Sequence, residues 1–198
     1  MDCAIEAIVE VGYQGASVAE VARRAGVSKG VVTYHFAAKD DLIWAVVSRV
    51  FDSVAEHLRS RLSGTTAEAF VADYIGAWVE YYRTHTPYML AMREIWSSFR
   101  DESGRQRLGS EVGADELAMV ESALELGQER GCRGKFSARV MAVTMKGALD
   151  RLLGQLAADP SLDLETYGAE IIALFERATQ PVAPASDQVQ HSQERQQR

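Results

Sequence analysis

Residues 17–39 read SVAEVARRAGVSKGVVTYHFAAK, and this stretch decides the fold. Ser17 and Glu20 stand three apart as a capping box, opening a helix whose inner face is Val18, Val21, Ala22 and Ala25. Gly26 follows, and glycine alone enters positive φ without steric penalty, so a turn is expected there. Ser28 then caps a second helix running through Val31, Val32, Tyr34 and His35 to Phe36. Two short helices about a glycine turn predict a helix-turn-helix, whose second helix enters the DNA major groove.

Charge supports that expectation. Arg23, Arg24, Lys29 and Lys39 oppose Glu20 alone, a local excess of +3 in a chain whose net charge is −7. A basic island on an acidic protein suits phosphate contact, because each neutralised phosphate releases a condensed counterion. Lys29 and Gly30 stand on the first turn of the second helix, where a lysine reaches guanine O6 or N7 and a glycine admits close backbone approach. Thr33, one turn on, is placed to touch a thymine methyl or a phosphate. Ser17 and Ser28 offer hydroxyls at helix N-termini, which favour phosphate.

Residues 25–42, AGVSKGVVTYHFAAKDDL, with Gly12-Tyr13 before them, resemble the DNA-binding domain of the TetR family of bacterial transcription regulators. The likeness is close over about residues 1–50 and extends beyond only in the number and lengths of helices. It implies that Tyr34 and His35 form an aromatic pair contacting phosphate, core packing of one of them being the alternative, and that Lys39 contacts phosphate at the start of the fourth helix. Thr33 stands where the family often has tyrosine. The chain begins almost at its first helix, where the family usually carries further, often basic, residues. The true start is therefore upstream, or the arm and its phosphate contacts are lacking.

The rest of the chain has helical period throughout. The first helix is expected over about residues 2–11, presenting Ala4, Ile5, Ile8 and Val9 before Gly12 stops it. A long fourth helix opens at Lys39 or Asp40 with Leu42, Ile43, Val46, Val47, Val50, Val54 and Leu58 on one stripe. A fifth follows the break at residues 63–66, Pro87 starts a sixth, and residues 101–113 read as a loop. A seventh ends at Gly131. Ser137 caps an eighth, ended by Asp159-Pro160, and Asp163 caps a ninth bearing Leu164, Tyr167, Ile171, Leu174 and Phe175 on one face. From residue 180 the chain has six glutamines, two prolines and no aromatic residue, so a disordered tail is expected over 180–198.

The fold class is thus all-α, with a three-helix DNA-binding domain over residues 1–45 and a helical body over 46–179. In the body, Tyr74, Trp78, Tyr82, Met89, Met92, Trp96 and Phe99 concentrate aromatic and methionine side chains on two successive helices. Such a set forms ordinary core or an adaptable apolar pocket. The resemblance favours a pocket for a small effector; Met145 is a further candidate for its lining, and Glu94 and Asp150 are candidate polar anchors, solvated or salt-bridged faces being the alternative. It also implies a homodimer through the eighth and ninth helices, where Gly147 and Gly154 permit close backbone approach, and a palindromic double-stranded operator.

Other chemistries fail on their residues. Gly26-Val27-Ser28-Lys29-Gly30 matches G-x-S-x-G, but a helix precedes it and no strand is predicted. The residues three before His35, His57, His85 and His191 are Val32, Val54, Tyr82 and Gln188, so E-x-x-H ligation is absent. Cys3 and Cys132 stand far apart, without C-x-x-C spacing, so neither a disulfide nor a zinc site is expected. No enzyme activity, metal or cofactor is expected. With no run approaching 18 apolar residues and no secretory pattern, the protein is expected in the bacterial cytoplasm, associated with the nucleoid when on DNA. The resulting expectation is a TetR-like regulator, a repressor released by a small apolar or aromatic effector. The alternative is a helical small-molecule-binding protein with a vestigial head.

Overall fold

The structure, a computed structural model, describes residues 1–101, 103–105 and 113–181. Most of the loop expected over 101–113 and nearly all of the tail expected over 180–198 lie outside the described residues. Nine α-helices and no strand occur among the described residues: α1 Asp2–Gly15, α2 Val18–Ala25, α3 Lys29–His35, α4 Lys39–Arg61, α5 Phe70–Thr84, α6 Thr86–Ser98, α7 Ala114–Glu129, α8 Ala138–Ala158 and α9 Leu164–Thr179.

Local chemistry sets several of these boundaries. Ser17, Ser28 and Ser137 each accept a hydrogen bond from the backbone N–H three residues on, and Asp163 accepts from Glu165 and Thr166. Gly26 ends α2 in the left-handed region at φ 68°, its N–H returning to Ala22 and Arg23. Gly12 is the one strained point of α1, at φ 73° and ψ 168°, a conformation essentially confined to glycine. It kinks the helix where a stop was expected, and the chain then continues helically to Gly15.

The head packs Ala4, Ile5, Ile8 and Val21 into one core with Leu42, Ile43 and Val46 of α4, and Ala22 and Val32 are buried as well. Val9 is exposed, contrary to expectation, because Ala4, Ile5, Ala7 and Ile8 already fill the buried face of α1. The boundary expected between residues 45 and 46 falls inside α4, a continuous helix common to head and body.

In the body, α5 is the central helix, with Val71, Tyr74, Ile75, Tyr81 and Tyr82 fully enclosed. Gly168 brings α9 close to α5: a methyl group there would stand 2.9 Å from Val79 Cγ2. Arg133, in the α7–α8 connection, is buried and ties three segments together. It donates to Glu176 (2.7 Å) and Thr179 (2.8 Å) of α9 and to the carbonyl of Glu68 ahead of α5. Helix α6 carries the head. Tyr88 donates to Asp2 Oδ1 (3.1 Å), and the Tyr13 N–H, turned outward by the Gly12 kink, donates to Glu94 Oε1 (3.1 Å).

Candidate functional site

Helix α3 is held from beneath by Val32, which is buried, while Ser28, Lys29, Gly30, Val31, Thr33, Tyr34 and His35 all face solvent. Lys29 has no ion-pair partner among the described residues. The Thr33 hydroxyl donates back to the carbonyls of Lys29 and Gly30 (both 3.1 Å), so the methyl group and a remaining lone pair are what it presents outward. Tyr34 is 86 % exposed and meets only the edge of His35, with ring centroids 5.2 Å apart. A tyrosine so uncovered contributes nothing to the core and is free for a partner. Val31, 49 % exposed, extends this face as an apolar contact that the sequence reading did not single out. Adjacent residues on a helix lie about 100° apart, and Val32 takes the inward position.

The cations around α3 are not equivalent. Glu20 accepts from Arg23 (2.7 and 2.8 Å) and from Arg24 (2.6 Å), and Arg24 also reaches Glu10 (2.7 Å). Hydrogen bonds from Arg23, then Arg24, hold the Glu20 carboxyl at a pKa of about 2. The expected capping box is therefore half formed. Ser17 Oγ accepts from Glu20 N, but the Glu20 carboxylate goes to the arginines, and Ser17 N donates to the Gly15 carbonyl instead. Lys39 is also engaged. Its ammonium donates to the carbonyls of Tyr13 and Gln14 and lies 4.2 Å from the centroid of the Tyr13 ring. Partial burial pushes its pKa down. Arg24 and Lys39 thus fasten α1 to α2 and α4, and Lys29 is the unengaged cation on the face of α3.

The body holds a cavity of about 800 Å³ between α4, α5, α6, α7 and α8, in the size range of small-molecule sites. Of the residues expected there, Trp78, Met89, Met92, Trp96 and Asp150 line it. Tyr74, Tyr82, Phe99 and Met145 do not; each is enclosed in the packing around it. Burial raises the pKa of the Tyr74 phenol, which donates to Glu116 Oε1 (2.6 Å), and Tyr82 donates to the Leu149 carbonyl (3.1 Å). Phe99 packs against Tyr13 and Trp44, at ring-centroid distances of 6.0 and 5.3 Å, where head meets body. Glu94 is at that junction too, on the Tyr13 N–H rather than in the cavity. Gly147, expected on the subunit-facing side of α8, lines the cavity.

Four charged residues that the sequence reading did not select, Arg93, Arg100, Glu116 and Lys146, also line it. Glu116 accepts from Trp78 Nε1 (2.7 Å) as well as from Tyr74, and Lys146 pairs with Asp150 and lies 4.6 Å from the centroid of the Trp78 ring. Val50, Phe51 and Val54 bring α4 into the wall. Helix α6 therefore has the cavity on one side and α1 on the other, with Arg93 and Glu94 pointing to the two sides in turn. Among the described residues no group of three or more metal-ligating side chains occurs, and no helix is long and apolar enough to cross a membrane.

Residues 1–46 match the family model for bacterial regulatory proteins of the tetR family. The HTH-type transcriptional regulator BetI of Escherichia coli K12 is 32 % identical over 102 residues, covering 50 % of this chain and 52 % of that protein. The chain thus spans about half the length of the curated relatives it matches. Among solved structures, the fatty acid degradation regulator FadR of Bacillus halodurans superimposes with a TM-score of 0.71 at 22 % identity, over 88 % of this chain and 95 % of that one. The ketosteroid transcriptional regulator KstR2 of Mycobacterium tuberculosis gives 0.73 at 14 % identity, over 91 % and 93 %. These two likenesses show the fold, and the relatives are regulators of transcription rather than enzymes.

Proposed function

We propose that this chain, a tetR-family regulator by its N-terminal 46 residues, represses transcription as a homodimer on a palindromic operator and is released by a small effector held in the body. Lys29, Gly30 and Thr33 read base edges from α3, with Val31 beside them. Ser17, Ser28, Tyr34 and His35 set the head on phosphates, and Lys39 keeps α1 and α4 in the arrangement that lets α3 enter the groove. The division of labour is a DNA-binding unit over residues 1–45 and an effector and dimerisation unit over 46–179.

A single observation carries the reading. Helix α6, which forms part of the cavity wall, is also the helix on which the head is seated through Glu94 and Tyr88. A ligand that prefers one setting of α6 therefore prefers one setting of the head, and it shifts the equilibrium by no more than that preference. Dimerisation is supported by α8 and α9, where Val140 and Leu174 are 64 % and 55 % exposed beside Phe136, Met141 and Phe175. Two heads on a two-fold axis meet half-sites about one helical turn apart.

The test is an electrophoretic shift titration with the gene's own promoter fragment. Two protomers are expected per palindrome, with footprints on one face of the duplex. Absence of any palindromic complex at low salt would overturn the proposal.

A further inference from the structure

We infer that the effector is an amphipathic carboxylate, bound through Arg93 and Arg100. This rests on the reading of the cavity as the effector site and names the chemistry that site selects. The cavity wall is largely apolar, so its few charges decide which ligand it accepts. Its acids are committed. Glu116 is engaged by the Tyr74 hydroxyl and the Trp78 indole and stands in the first turn of α7, where the helix dipole favours negative charge. Asp150 is paired with Lys146.

No acid among the described residues neutralises the arginines. Arg93 has no hydrogen-bond or ion-pair partner among the described residues, and Arg100 donates only to the carbonyls of Gly104 (3.1 Å) and Ser97 (3.4 Å). In a chain with 28 acidic against 21 basic side chains, two guanidinium groups at one cavity have no carboxylate partner among the described residues. Arg93 lies on α6 and Arg100 just past its end, where Phe99 leaves the helix in an extended conformation, and Trp96 and Ser97 between them line the cavity as well. A guanidinium presents a rigid fork of N–H donors that matches a carboxylate in two parallel hydrogen bonds. A ligand with an anionic head at these arginines lays its carbon skeleton against Met92 and Trp96. A cationic ligand meets two like charges there, and a neutral one leaves them uncompensated. The same contact acts on the helix that bears the head, because Arg93 is followed directly by Glu94, which holds the Tyr13 N–H.

The test is isothermal titration of the full chain with decanoate, decan-1-ol and decylammonium, which share one tail and differ in head. Decanoate is expected to bind once per protomer, about tenfold or more tighter than the other two. The double substitution Arg93→Gln with Arg100→Gln is expected to abolish that preference while leaving decan-1-ol unaffected. Arg93→Lys with Arg100→Lys should retain part of it. Both positions are exposed, and the three-ligand comparison on the unaltered chain stands whether or not a variant folds. Equal affinities, tighter binding of decylammonium, no saturable binding of decanoate, or a preference that survives the glutamine substitutions each overturns the inference. Decanoate binding through the arginines without release of promoter DNA would support the carboxylate chemistry of the cavity and overturn the effector-release reading on which its naming as the effector rests.

Discussion

Arg133→Ala is expected to lower the stability of the fold by about 2–4 kcal/mol, among the largest losses available from one side chain. The Arg133 side chain is 3 % exposed, whereas its partner Glu176 is 31 % exposed, so the carboxylate left behind is partly hydrated. This is why the expected loss falls short of the upper end for a fully buried pair. Three segments lose their common tie at once: the Glu68 carbonyl, the α7–α8 connection and the end of α9. The arginine stem also rests on Gly127, where a methyl group would stand 2.6 Å from Arg133 Cγ, so truncation opens a void against α7. Urea unfolding at fixed protomer concentration measures the effect. Removing Glu176 as well is expected to add little, since its partner is already gone. A midpoint unchanged in Arg133→Ala would contradict this account of the α7–α9 corner.

Val140→Glu with Leu174→Glu is expected to separate the proposed dimer and weaken operator binding by about a hundredfold or more, because the second head loses its effective concentration at the palindrome. Both side chains already face solvent in the protomer, so its own stability should move by about 0.5 kcal/mol at most. Carboxylates on an apolar self-complementary face are desolvated and brought near their own copies across the two-fold axis. Analytical ultracentrifugation should find the protomer where the unaltered chain sediments as a pair. A variant that still sediments as a pair would move the subunit interface elsewhere on the surface.

What the sequence made legible was local. Caps at Ser17, Ser28, Ser137 and Asp163 and stops at Gly26 and Asp159-Pro160 depend on residues within one turn; α2, α3, α8 and α9 begin at those caps, and α2 and α8 end at those stops. Edges of apolar stripes were another matter. Val9, Val140, Tyr167 and Leu174 share periodicity with the core but lie at the margin of their faces, where burial depends on which neighbour arrives. The cavity shows the same limit. Trp78 and Tyr82 stand one turn apart on α5, yet one lines the space and the other is sealed beneath it.

Charge partners separated in sequence were the least legible. The Tyr13–Glu94 contact spans 81 residues, and no spacing rule joins the two. Lys39 looked like a phosphate ligand because the carbonyls that claim it belong to α1, and Arg24, held by Glu20 within its own helix, is also claimed by Glu10 of α1. The local excess of positive charge thus overstated the number of cations available to DNA and left Lys29 as the principal one.

Lys29 therefore offers the most direct test that this head binds DNA through α3. Fluorescence anisotropy with the promoter fragment, titrated over a series of salt concentrations, gives both affinity and the number of phosphates neutralised. The account predicts that Lys29→Ala weakens binding about tenfold or more and, where the ammonium meets phosphate, makes the log–log salt slope shallower by about 2 per dimer, one contact from each head. An affinity and a salt slope both unchanged by Lys29→Ala would contradict it.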